Sequence, residues 1–147
     1  PAAGDVLLLP GGDTWLTPNH QPVFPVVSRF LQSGLVVGAI CGGTMGLAQA
    51  GFLNERPHTS NDLDVLKMFC PGYTGGEWYV PEPAVTDKNL VTASGLAAVD
   101  FAYQIMKILG VMREESLEAW YQLHRTRKPE WFFALERSLG TAVDPSG

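Results

Sequence analysis

The chain predicts an α/β domain built on a parallel sheet, and three features of its sequence carry that expectation. Two short apolar runs, residues 5–9 and 35–40, are bounded by turn residues, as strands buried on both faces are. A segment of helical spacing follows each run. The alternation of strand, helix, strand and helix makes consecutive strands parallel, joined by right-handed crossovers.

In order, "DVLLLPGG" (5–12) reads as a strand ended by a Pro-Gly-Gly turn. Residues 22–33 place Phe24, Val27, Phe30 and Leu31 at helical spacing, with Pro25 in the first turn and Gly34 as the stop. "LVVGAI" (35–40) is a second buried strand, and "GTMGLAQAG" a short helix of small residues stopped by Gly51. "RPHTS" (56–60) has the content of a short strand, and residues 61–70 form a helix capped by Asn61 or Ser60. "AVTDKNLVTAS" (84–94) is a hairpin, or a strand entered by a tight turn at residues 87–89. Residues 95–111 are the clearest helix, with Val99, Ala102, Tyr103, Met106 and Leu109 on one face and Asp100, Gln104 and Lys107 on the other. Residues 114–139 give two amphipathic helices separated near Pro129. The expected division is a domain over 1–111, a helical extension over 112–140 and a frayed tail over 141–147.

Composition narrows the function. At 147 residues, with 46% hydrophobic and 17% charged residues, the chain is the size of one globular domain. Its net charge of −5 and lack of a basic stripe argue against nucleic acid as a partner. No apolar run reaches the ~20 residues of a membrane span. Cys41 and Cys70 make neither a disulfide framework nor a CxxC pair, and with His20, His58 and His124 scattered no metal spacing appears. A reduced, cytoplasmic protein without metal or cofactor is the expectation.

The residue that asks for an explanation is Cys41, which ends the strand in "VVGAICGGTMGLAQAG" (36–51). It falls at the carboxyl end of a parallel strand, the edge where open α/β sheets bind ligands. A nucleophile on a sharp strand-to-helix turn needs small neighbours, and Gly42 and Gly43 supply them. The Gly42 N–H then points where an oxyanion forms, and the helix dipole favours the thiolate. The competing reading is a small buried core cysteine.

The combination of an apolar strand ending in PGG, then AICGG, then LA-x-AG resembles the ThiJ/PfpI family of the class I glutamine amidotransferase-like superfamily, and its members described as intracellular protease/amidase. The resemblance runs from about Asp5 to about Val111 and includes "NLVTASGLAAVDFAYQIMKIL". It implies a flavodoxin-like three-layer sandwich, commonly a homodimer, with Cys41 as nucleophile on an elbow and the N–H groups of Gly12 and Gly42 as oxyanion donors. Gly12 as a plain turn glycine is the alternative. Family members carry further strands and a helix ahead of the PGG strand, so a domain incomplete at its N-terminus is expected, with the acidic partner of the cysteine upstream of Pro1.

The base is less direct. Gly42 follows Cys41 where some relatives have histidine; His58 lies in the right region, whereas alignment through "AGFLNERPHTSN" puts the usual histidine nearer Asn61. His58 is therefore read either as base or as a core histidine. The His-x-Glu pair of ordinary glutamine amidotransferases is missing, because Thr126 stands two positions after His124. Glu77 and Glu82 are candidate substitutes for the acid, in a loop (75–83) that could overhang the cysteine, and Cys70 reads as structural. The functional expectation is a cysteine hydrolase or amidase acting on a small carbonyl, amide or peptide substrate. The alternative is a non-enzymatic redox-sensing or stress-response binding protein in which Cys41 is oxidised. Trp120, Tyr121, Trp131 and Phe132 are expected to be largely buried, against the core or in a dimer contact.

Overall fold

The computed structural model describes residues 1–140. Residues 141–147, where the frayed tail was expected, lie outside the described part. The chain divides into two compact units, residues 1–105 and the residues from Met106 onward.

The first unit is built on a sheet whose strands run in the order β1 (Val6–Leu9), β2 (Val36–Ile40), β4 (Leu90–Ala93), β3 (Ala84–Asp87). β1 pairs with β2 and β2 with β4 in parallel, while β3 closes antiparallel onto β4 through the tight turn at Lys88–Asn89. β2 is central, and its Val36–Ala39 are buried because helices cover both faces. On one face Val37 and Ala39 join Leu9, Val27, Phe30 and Leu47 in the main core, with α1 (Phe24–Gln32) and α2 (Gly42–Gln49) as the cover. On the other, Gly38 leaves room for Phe101 and Ile105 of α4 (Ala98–Leu109), whose atoms lie 2.8 and 2.7 Å from where a Cβ would stand. This is the three-layer α/β sandwich that the family resemblance implies, with the parallel strands that the alternating pattern predicts.

Local differences have physical reasons. The first helix is preceded by a 3-10 turn over Pro18–Val23, which Pro22 and Pro25 confine to the entrance. "RPHTS" is an extended segment with one parallel bridge, His58 to Tyr79, rather than a strand. The helix α3 (Leu63–Phe69) takes Asp62, not Asn61 or Ser60, as its cap; Asp62 Oδ1 accepts from the N–H groups of Asp64 and Val65 at 2.8 and 3.1 Å. Asn61 and Ser60 are unavailable for capping because their side chains are engaged around Cys41, as described below.

In the second unit, α5 (Glu114–Thr126) and α6 (Pro129–Leu139) form a hairpin. The left-handed Arg127 ends one helix and Pro129 starts the other. The Arg113 guanidinium donates to the Ser138 carbonyl and ties the hairpin's ends together. Within the single chain the aromatic residues here are only partly buried. Trp120, Tyr121 and Trp131 are half-buried and Phe132 is 48% exposed. They pair locally: Trp120 meets His124 at a tilt, Arg125 sits over Tyr121, and Phe132 meets Phe133 edge-on. Among the described residues no helix is long and apolar enough to cross a membrane.

Candidate active site

Cys41 joins the end of β2 to the start of α2 with φ 56° and ψ −124°. That combination lies outside every region readily open to a residue with a Cβ, and holding it costs on the order of 1–3 kcal/mol. The surrounding structure imposes it. The Cys41 N–H donates to the Ala93 carbonyl of β4 at 3.0 Å, and its own carbonyl accepts from the Thr44 N–H at 3.0 Å and the Thr44 hydroxyl at 2.6 Å. Thr44 is fully buried, and its Oγ1 lies 2.7 Å from Ser60 Oγ. Because the Thr44 proton goes to the Cys41 carbonyl, Ser60 is the donor in that second bond. A buried chain of hydroxyls therefore locks the elbow to the segment that carries Asn61.

Asn61 is the side chain that reaches the sulfur. Its Nδ2 donates to Cys41 Sγ at 3.4 Å, while its Oδ1 accepts from the Gly95 N–H at 2.8 Å. The Gly95 bond fixes the amide's orientation, since only the oxygen can accept from a backbone N–H. Asn61 thus offers the thiol a proton and cannot remove one. Gly95 has to be glycine: a Cβ there would lie 2.9 Å from Cys41 Sγ. Gly42 is held more tightly still, with its Cβ position 2.1 Å from the Gly12 carbonyl oxygen and 2.9 Å from the Gly12 nitrogen. Gly12 and Gly42 thereby share one wall beside Cys41. As the first residue of α2, Gly42 has an N–H without an intrahelical partner.

The structure does not bring His58 to this site. His58 is fully buried, with Nδ1 2.7 Å from the Arg56 carbonyl and Nε2 2.7 Å from the Tyr73 hydroxyl. The carbonyl requires an N–H from Nδ1, so Nε2 is the acceptor and Tyr73 donates to it. Burial pushes the His58 pKa down, opposed by the Arg56 carbonyl, and it pushes Tyr73 up to about 12, so both stay neutral near pH 7. With Tyr73 and Tyr79 edge-on against its ring, His58 is a satisfied core histidine, and Asn61 occupies the position beside the thiol.

The cleft above Cys41 has a volume of about 290 Å³. Gly12 and Gly42 line it, and so do Asp13, Trp15, Leu16, Met45, Asn61, Val65 and Phe69. Trp15 is fixed by a 2.8 Å bond from its ring N–H to the Pro10 carbonyl, and its ring lies 2.8 Å from where a Cβ on Gly46 of α2 would stand. The loop 75–83 supplies none of the lining, and Glu77 and Glu82 are exposed away from it. Cys70 is buried, its thiol against the Met45 carbonyl at 3.6 Å, and burial raises its pKa. Among the described residues no cluster of His, Cys, Asp or Glu is placed to hold a metal.

Of the residues singled out from sequence, Cys41, Gly12 and Gly42 meet at one site and His58 does not. Asn61 had a signal, as the aligned position of the family's usual histidine. Gly95 had one too: it follows β4, neighbour of β2, so it ends at the same sheet edge as Cys41. Nothing in the sequence marked the Thr44–Ser60 bond, which joins residues sixteen positions apart.

Comparison with known proteins gives the family and the fold. Residues 1–108 match the DJ-1/PfpI family. The chain is 49% identical over 135 residues to a Bacillus subtilis protein named uncharacterized protease YoaZ, covering 92% of this chain and 64% of that protein. It is 34% identical over 113 residues to the Arabidopsis thaliana protein DJ-1 homolog D, covering 73% and 28% respectively. A thiJ/pfpI family protein from Bacillus anthracis superposes with a TM-score of 0.88 at 48% identity, over 91% of this chain and 63% of that one. A DJ-1 superfamily protein from Agrobacterium tumefaciens superposes with a TM-score of 0.72 at 36% identity, over 84% and 65%. The chain thus spans less than two thirds of the length of these relatives. On the family match over residues 1–108 and the shared fold, the chain belongs to the DJ-1/PfpI family.

Proposed function

We propose that the chain carries a cysteine-dependent hydrolase or amidase activity toward a small carbonyl, amide or peptide substrate, with Cys41 as the nucleophile. The observation behind this reading is the backbone of Cys41: a strained, non-glycine conformation maintained at the floor of a cleft, on a strand-to-helix turn. The Cys41 thiolate attacks the carbonyl carbon, a C–S bond forms, and the carbonyl π pair moves onto oxygen. The N–H groups of Gly12 and Gly42 receive that oxyanion. Its collapse expels the amine or alcohol, which takes a proton from water, and water then cleaves the thioester to release the acid and free Cys41. His58 plays no part as base in this sequence, since Tyr73 holds its Nε2 lone pair. Incubation with p-nitrophenyl acetate tests the reading. The expected result is an acetyl group on Cys41 in the peptide mass spectrum, p-nitrophenolate release, and loss of both in Cys41→Ala. Release that survives Cys41→Ala would remove Cys41 from the chemistry.

A second reading has an observation of its own. Asn61 donates to the sulfur and accepts no proton, an arrangement equally suited to a sulfinate oxygen. A redox-responsive protein would convert the Cys41 thiol to sulfinic acid with two equivalents of peroxide, each leaving as water. Formation of sulfinate on Cys41 at low peroxide, without acetyl transfer in the first assay, would favour it. Under both readings the protein is placed in the cytoplasm as a homodimer. Two free cysteines and the exposed Leu8, Met68 and Leu96 support that placement, and light scattering tests the dimer.

A further inference from the structure

The cleft's lining carries a selectivity of its own. Its walls are apolar: Trp15 and Leu16 come from the loop after β1, Met45 from α2, and Val65 and Phe69 from α3. Trp15 is fixed rather than adaptable, held by the Pro10 carbonyl and seated on Gly46. Among the lining residues there is no lysine, arginine or histidine, and the one acidic side chain is Asp13, exposed at the cleft's edge. Asn61, the remaining polar group, already has both ends of its amide engaged. At about 290 Å³ the cleft is at the small end of the range typical of small-molecule sites, roughly 300–1,000 Å³.

We infer that this cleft selects substrates whose reacting carbonyl bears one compact apolar group, uncharged or cationic, and that it turns anionic substrates away. An aromatic ring or branched aliphatic group loses water against Trp15, Val65 and Phe69, a preference that does not depend on salt. A carboxylate or phosphate on the substituent meets the Asp13 carboxylate with no cationic side chain in the lining to offset it, while the Gly12 and Gly42 N–H groups are taken up by the oxygen of the reacting carbonyl. A cationic group gains from the same field. The Asp13 contribution is modest because it is solvent-exposed, and it fades as salt screens it. The inference rests on Cys41 being the reactive centre, so its test is one in which the reactivity of the thiol and the selectivity of the cleft are read separately.

Methanethiosulfonates serve as probes. The Cys41 thiolate attacks their sulfenyl sulfur, a disulfide forms, and methanesulfinate leaves with the electron pair, so no redox partner is needed. Rates with the methyl, benzyl, 2-aminoethyl and 2-sulfonatoethyl reagents are measured on the folded chain by mass spectrometry of the Cys41 peptide. Each is divided by its rate with the same chain unfolded in urea. The expected pattern is benzyl over methyl by about tenfold, insensitive to salt, and 2-aminoethyl over 2-sulfonatoethyl by about five- to tenfold at low salt, narrowing in roughly 1 M NaCl. Asp13→Asn should cut the second ratio by about threefold and leave the first alone. Phe69→Ala, at a residue 52% exposed and therefore tolerant of change, should cut the first and leave the second. Equal normalised rates across the four reagents, with Cys41 still reactive, would overturn the selectivity and spare the nucleophile. A charge ratio unmoved by Asp13→Asn would overturn the assignment of that preference to this cleft. A Cys41 that reacts with none of them would overturn the nucleophile and, with it, this inference.

Discussion

Gly42→Ala and Gly12→Ala together probe the oxyanion wall, because the same added methyl has opposite consequences at the two positions. At Gly42 the new Cβ would stand 2.1 Å from the Gly12 carbonyl oxygen, whereas 3.0 Å is about the closest a Cβ tolerates, so the two backbones must part by at least 0.9 Å. Neither can move freely: α2 is pinned through Thr44 to Ser60, and the loop after β1 is closed by the Trp15–Pro10 bond, with Trp15 set against Gly46 of α2. Relief of such overpacking costs about 1–3 kcal/mol of stability. It also displaces the Gly12 and Gly42 N–H groups from the place where the oxyanion forms, and loss of one such donor costs about 10²–10³ in rate. At Gly12 the Cβ would meet only the Trp15 ring, at 3.8 Å, an ordinary contact, and the N–H stays where it is. The assay is the rate of Cys41 acetylation by p-nitrophenyl acetate, with circular dichroism and thermal unfolding as the check on folding. Gly42→Ala should lose at least a hundredfold while remaining folded; Gly12→Ala should stay within a fewfold of the parent. A folded Gly42→Ala that acetylates at the parental rate, or a Gly12→Ala as damaged as Gly42→Ala, would refute the reasoning.

Two further predictions concern the polar groups around the elbow. Asn61→Asp keeps an acceptor for the Gly95 N–H but sets a carboxylate against the sulfur, so alkylation of Cys41 by iodoacetamide should slow by about tenfold or more, and more than in Asn61→Ala. A rate unchanged in both variants would show the 3.4 Å contact to be idle. His58 makes stability pH-dependent: burial lowers its folded-state pKa, so below the ordinary value of 6.5 the unfolded chain binds the proton and the folded chain resists it. This destabilisation is absent well above pH 6.5 and grows as pH falls through it, at up to about 1.4 kcal/mol per pH unit. Urea unfolding of the parent and of His58→Gln between pH 7.5 and 5 measures the difference, which is expected to shrink on acidification; parallel curves would contradict it.

The fold was legible because its strands and helices announce themselves locally. The apolar runs ending at Leu9 and Ile40, the break at Pro129 and the tight turn after Asp87 each have a short-range cause, and the parallel strands follow from their alternation with helices. Cys41 was legible for the same reason, since strand, cysteine and two glycines are contiguous. What sequence could not decide was which of two nearby side chains reaches the sulfur. His58 and Asn61 sit in one extended segment, and the bridge from His58 to Tyr79, with Val80 N–H donating to the His58 carbonyl at 2.8 Å, sets the register that turns His58 into the core and Asn61 toward Cys41. Helix capping misled for a related reason: Asn61 and Ser60 are good cap residues by type, but their side chains were already taken up at the site, which left the cap to Asp62.

The central claim is that the elbow activates Cys41 rather than merely exposing it. The most direct measurement compares the iodoacetamide reaction rate of Cys41 in the folded chain with its rate in the chain unfolded in urea, at one pH near 7, with Cys70 read in the same peptide map. The helix N-terminus and the Asn61 donor predict that folding accelerates Cys41, while burial makes folding slow Cys70. A folded Cys41 that reacts no faster than the unfolded one would contradict the claim, whatever the fate of Cys70.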